Sequence, residues 1–111
     1  MYTVTRQGAV DVIRGSTPLD QEHVEQLHSA VERCFEDGQP AIVMDMSEVQ
    51  LVDSSGLEAL LETRDHVEVC GGTIKLAAIT PLVDDILRAT GLYDKFDCFP
   101  NVKSAVGSFL R

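Results

Sequence analysis

The first fourteen residues carry a period-two pattern that predicts two short strands. They run from about Tyr2 to Gln7 and from Ala9 to Arg14, with Gly8 as the turn residue, although Ile13 interrupts strict alternation. Gly15-Ser16-Thr17-Pro18 strings together turn-favouring residues and predicts a loop leading to a helix start. From Asp20 to about Asp37 the apolar residues Val24, Leu27, Val31, Cys34 and Phe35 recur at steps of three and four, with Glu22, Glu25, Glu32 and Glu36 between them. That spacing predicts one helix with a buried stripe, stopped by Gly38 and Pro40. The apolar run Ala41 to Met44 follows as a covered strand.

After a polar loop the period returns to helical. Leu57, Leu60, Leu61 and Val67 face one way, Glu58, Glu62, Arg64, Asp65 and Glu68 the other, and Gly71-Gly72 ends the helix. Thr73 to Ile79 predicts another strand, and Thr80-Pro81 supplies a cap and a first helical residue with its φ already set. Leu82, Val83, Ile86 and Leu87 form the predicted inner stripe of a third helix ending at Gly91. Phe96 to Phe99 predicts an edge strand, and Asn101 caps a last helix through Leu110 with the stripe Val102, Ala105, Val106 and Phe109. Strands alternating with amphipathic helices define an α/β domain spanning residues 1–111, with a mixed central sheet of four to five strands and about four helices.

Charge and composition remove several functional classes. Eighteen acidic residues against nine basic ones leave a net charge of −9, a field that repels phosphate backbones and anionic membranes, so direct nucleic-acid binding is not expected. No apolar run approaches the roughly 20 residues that span a bilayer, and the start lacks the pattern of a secretory signal. A cytoplasmic protein without membrane insertion is the expectation. Cys34, Cys70 and Cys98 are odd in number and widely spaced, which predicts reduced core thiols rather than disulfides or a zinc site. His23, His28 and His66 form no metal-ligand spacing and are expected on helix surfaces; no metal and no cofactor is expected.

The chemistry concentrates in Val52-Asp53-Ser54-Ser55-Gly56, between a strand and a helix. Asp53 or Ser54 can cap the helix, and Gly56 permits close backbone approach. A nucleophilic role has little support: the G-x-S-x-G elbow is absent, as are GxxxxGK[ST] and GxGxxG, so the chain is not expected to be an enzyme. Modification is the physically stronger alternative to a plain cap. A phosphate on a serine at a helix start meets free backbone donors at the positive end of the dipole.

The segments "AIVMDMSEVQLVDSSGLEALL" and "GGTIKLAAITPLVDDILRATGLYDKFDCFPNVKSAV" resemble the STAS domain of bacterial anti-sigma factor antagonists over about two thirds of the chain. Met44-Asp45, Val52 to Leu57, Gly71-Gly72 and Thr90-Gly91-Leu92 carry the likeness together. The resemblance implies partner switching. The unphosphorylated protein binds an anti-sigma factor that is also a serine kinase of the histidine-kinase-like ATPase fold, and this frees a sigma factor. The kinase phosphorylates Ser54, with Ser55 the less favoured acceptor, and a PP2C-type phosphatase reverses it. The alternative is a constitutive STAS interaction module, such as a subunit of a lipid-transport ABC system or a signalling scaffold.

The expected docking face comprises the Gly15 to Asp20 loop, Asp53, Ser54, Ser55 and Gly56, and the exposed side of the helix beginning near Leu57 and Glu58. Two features depart from the family pattern. Asp20 matches the aspartate of a Gly-Glu-Leu-Asp-like turn only with a two-residue insertion, and Glu58 stands where a small residue is usual.

Overall fold

A computed structural model describes residues 1–35 and 38–110. Its element order is β1 (Tyr2–Gln7), β2 (Val10–Gly15), α1 (Val24–Arg33), β3 (Ala41–Asp45), α2 (Ser54–Val69), β4 (Thr73–Ala77), α3 (Pro81–Ala89), a 3-10 turn (Tyr93–Lys95), β5 (Asp97–Phe99) and α4 (Val102–Ser108). The five strands form one sheet in the order β1-β2-β3-β4-β5. β1 and β2 are an antiparallel hairpin, turned by Gly8 at φ 64°, and the remaining neighbours are parallel. The expected mixed α/β sheet is therefore present.

Each parallel crossover advances one place along the sheet, so the right-handed rule sends α1, α2 and α3 to the same face. The main core lies there: Ile13, Leu19, Leu27, Ile42, Met44, Leu60, Leu76, Val83 and Leu87 are within it. α4 closes the other face over Val10, Val12, Val43 and Ala77, with Ala105 buried at the contact. Two covered faces explain why Ile13 breaks the alternation of β2, and why Ile42, Val43 and Met44 are all fully buried in the central strand. Lys75 fastens α4 to the sheet: its Nζ donates to Ser108 Oγ at 2.6 Å and sits 4.1 Å from the Phe109 ring centroid.

Several expected boundaries move. Ala9 belongs to the hairpin turn rather than to β2, and residues 20–23 form a turn before α1, because Asp20 O accepts from the His23 and Val24 N–H groups. The expected helix end at Asp37 falls on Glu36 and Asp37, which lie outside the described residues. β4 stops at Ala77 because Ala78 takes φ 56° and turns the chain away. β5 begins at Asp97, and α4 ends at Ser108. Leu82, assigned to the inner stripe of α3, is 52% exposed; Val83 and Leu87 are the residues that bury.

The thiols also need correction. Cys34 is buried as expected, but Cys98 is half-buried and Cys70 is exposed at the end of α2. His28 and His66 lie on helices, the His66 ring edge-on to Phe35 at 4.5 Å between centroids, while His23 precedes α1. Among the described residues no helix is long and apolar enough to cross a membrane.

Candidate functional site

The site lies at the carboxyl edge of the parallel strands, where the loops after β2 and β3 meet; open α/β sheets place binding crevices at this edge. Two backbone hydrogen bonds join the loops: Leu19 N–H donates to Leu51 O at 2.9 Å, and Asp53 N–H to Leu19 O at 3.2 Å. They form a one-residue parallel bridge, Leu19 with Val52, and the buried side chains of both residues anchor it from below. A Cβ built on Gly56 would stand 2.0 Å from Leu19 O, so only glycine lets the start of α2 pass this close under the first loop. The loop is held at its other end by Tyr2, whose hydroxyl donates to Thr17 O at 3.2 Å. Burial pushes the Tyr2 phenol above its ordinary range, so it stays a neutral donor.

α2 begins at Ser54, three residues earlier than the hydrophobic pattern suggests. The cap is Asp53: its Oδ1 accepts from Gly56 N–H at 2.9 Å, and its backbone oxygen accepts from Leu57 N–H. Ser54 therefore occupies the first helical position. It is exposed, and its hydroxyl makes no hydrogen bond among the described residues. Ser55 is half-buried at the next position, Leu57 half-buried, and Glu58 exposed one turn beyond Ser54 on the same side of the helix.

Asp20 joins the site through the neighbouring Leu19 bridge, but its carboxylate is engaged: Oδ1 lies 2.6 Å from His23 Nδ1. His23 is thus a site residue that the periodicity did not reveal, since its side chain acts locally, three residues along the same turn. Leu51 (44% exposed) and Leu82 (52% exposed) add apolar surface at the same edge of the sheet. No signal in the sequence separates Leu82 from its buried neighbour Val83.

The site can accept a small group on Ser54 without rearrangement, because the hydroxyl is exposed at the positive end of a sixteen-residue helix. Charged side chains at this edge include the carboxylates of Asp53, Glu58 and Asp20, with His23 beside the last, and the ion pair of Arg14 with Glu48. No described cluster of three His, Cys, Asp or Glu residues is arranged to hold a metal ion.

The profile of the STAS domain family matches residues 2–105, and the chain belongs to that family. An anti-sigma factor antagonist from Mycobacterium paratuberculosis superposes with a TM-score of 0.84 at 26% identity, covering 97% of this chain and 92% of that one. The Bacillus cell fate determinant SpoIIAA in its phosphorylated form matches with a TM-score of 0.74 at 20% identity, over 98% of this chain and 99% of the other. The murine anion transporter Slc26a9 contains a similar fold, with a TM-score of 0.79 at 24% identity; 92% of this chain matches 18% of the transporter. The last two likenesses concern the fold.

Proposed function

We propose that this protein is an anti-sigma factor antagonist that works by partner switching, with Ser54 as its phosphorylation site. The observation that carries this reading is the placement of Ser54: exposed, without a hydrogen bond among the described residues, and first in a helix whose cap is already supplied by Asp53. Because Ser54 does not hold the helix start, it is available for chemistry. The matches to bacterial antagonists run over nearly the whole of both chains, which supports the antagonist reading.

In this reading the unmodified edge, comprising the Gly15 to Asp20 loop, Asp53 to Gly56 and the outer side of Leu57 and Glu58, packs against an anti-sigma factor that is also a serine kinase. The kinase transfers the γ-phosphoryl group of ATP to Ser54 Oγ; the serine proton leaves and ADP is released. The product carries about −1.5 to −2 charges. Backbone N–H groups of the first turn of α2 tolerate that charge in the free protein, while Asp53, Asp20 and Glu58 oppose its burial against a partner. A penalty of about 3 kcal/mol lowers affinity on the order of 100-fold, which releases the kinase to its sigma factor. Hydrolysis by a PP2C-type phosphatase restores the binding form.

A second reading is a constitutive STAS interaction module without a phosphate cycle, supported by the occurrence of the fold as a small part of a transporter. Intact-mass measurement and peptide mapping of the protein from its own cells, with and without phosphatase treatment, separates the two. The switch predicts one phosphatase-sensitive phosphate on Ser54, absent from Ser54→Ala, and loss of kinase binding by Ser54→Asp. An unmodified Ser54 under all growth and stress conditions overturns it in favour of the module.

A further inference from the structure

The two edges of the sheet are treated differently. β5 has three residues and runs into Pro100, so it offers little backbone to another strand. β1 has six residues, pairs with β2 in unbroken register without a bulge, and contains no proline and one charged side chain, Arg6. Such an edge invites pairing.

The hydrogen-bonding phase of β1 determines which groups it offers. Ser16 N–H donates to Met1 O, so in the antiparallel ladder Met1 and then Thr3, Thr5 and Gln7 turn their backbone groups toward β2. Tyr2, Val4 and Arg6 turn theirs to the open side. We propose that this edge is a homodimer interface, in which β1 of a second copy of this chain pairs antiparallel with β1 about a two-fold axis at Val4, giving one continuous ten-stranded sheet.

That register is self-complementary at three levels. Val4 meets Val4, and Tyr2 meets Arg6 twice, so all three outward residues of each strand exchange backbone hydrogen bonds. Thr3 meets Thr5 on the other face of the ribbon, a favourable cross-strand pair between exposed β-branched residues. Arg6 of one copy comes opposite Tyr2 of the other, beside a cavity of about 470 Å³ lined by Met1, Tyr2, Glu25, Gln26, Ser29 and Arg33. Glu25 is the acid there, with its side chain 88% exposed, and Arg33 lies two turns further along α1. In its own copy the Arg6 guanidinium lies 3.7 Å from Asp11 and its Nε donates to Gly8 O at 3.2 Å. The two-fold axis reverses strand direction across the interface, so the two Ser54 edges face opposite ends of the dimer and each remains open to a partner.

Sedimentation equilibrium of the full chain from micromolar to millimolar concentration tests the proposal. The expected result is a species of twice 12.1 kDa at the higher concentrations. Thr3→Lys/Thr5→Lys, which sets lysine against lysine at exposed positions, and Val4→Pro, which removes an outward N–H, should both be monomeric at every concentration. Far-UV circular dichroism and melting show that each variant is folded; if Val4→Pro is not, the double lysine variant decides. In a Cys70→Ser background, Val4→Cys should form a disulfide dimer on oxidation, since a hydrogen-bonded pair stands about 5.5 Å apart at Cα, and Thr3→Cys should not. A wild type that stays monomeric, a folded double lysine variant that still dimerises, or crosslinking through Thr3→Cys instead of Val4→Cys overturns it.

Discussion

Single residues divide at this site into those that hold the backbone and those left free to act. Gly56 belongs to the first group: with Leu19 O 2.0 Å from the position of a Cβ, Gly56→Ala must separate the two loops. We expect a loss of about 3 kcal/mol, measured as a lower urea midpoint. Asp53→Ala should cost about 1 kcal/mol through the lost cap, and Asp53→Asn much less because its amide oxygen can accept from Gly56 N–H. Ser54→Ala removes a hydroxyl with no hydrogen bond among the described residues, so its stability should match the wild type within about 0.5 kcal/mol. The thiols separate in the same way. Burial, followed by the neighbouring Asp11 carboxylate, pushes Cys34 up to about 12 from 9.0. An unfolded Cys34 ionises first, so the folded protein holds the extra proton between those values, and stability present below pH 9 is lost as pH rises toward 12. Cys34→Ala should flatten that part of the stability profile. In the native protein at pH 8, a thiol reagent should modify the exposed Cys70 first and Cys34 only on unfolding.

Among the described elements, α4 covers the second face of the sheet. It is a seven-residue helix, too short to persist alone, yet it covers Val10, Val12, Val43 and Ala77. Truncation after Pro100 should expose that apolar face, lower the melting temperature and raise binding of a hydrophobic dye, while leaving the Leu19–Val52 bridge in place. Periodicity revealed the existence and order of every helix and strand except the 3-10 turn at Tyr93–Lys95, because burial of one face imposes a repeat of 3.6 or 2. Boundaries were less legible. The start of α2 shifts from Leu57 to Ser54 because a cap hydrogen bond, which periodicity does not report, decides it. Leu82 fits the stripe of α3 yet is exposed, because the first turn of that helix turns the next residue, Val83, into the core instead.

At the scale of the whole molecule, a net charge of −9 is confined within principal extents of 32 × 26 × 24 Å. Self-repulsion of that charge opposes compactness, and salt screens it. Raising ionic strength from about 10 mM to about 150 mM shortens the screening length from about 30 Å to about 8 Å, so the melting temperature should rise by a few degrees. A fall would mean that local ion pairs such as Arg88 with Asp84 outweigh the net field. The same field acts on partners: an anti-sigma factor with a basic docking face would associate faster at low salt.

What the amino-acid order determined by itself is the alternation of strands and helices, the sheet class, the charge, and the Ser54-Ser55 hydroxyl pair where the loop after β3 gives way to a helix. These follow from periods, turn chemistry and composition, which are local properties of the chain. What only the tertiary structure decided is which loops meet. Leu19 and Val52 stand 33 positions apart, and their bridge depends on β2 and β3 lying parallel and adjacent. The requirement for glycine at position 56 follows from how the two loops lie against each other, and no short window of sequence contains both of them, whereas the contact of Asp20 with His23 is local to one turn.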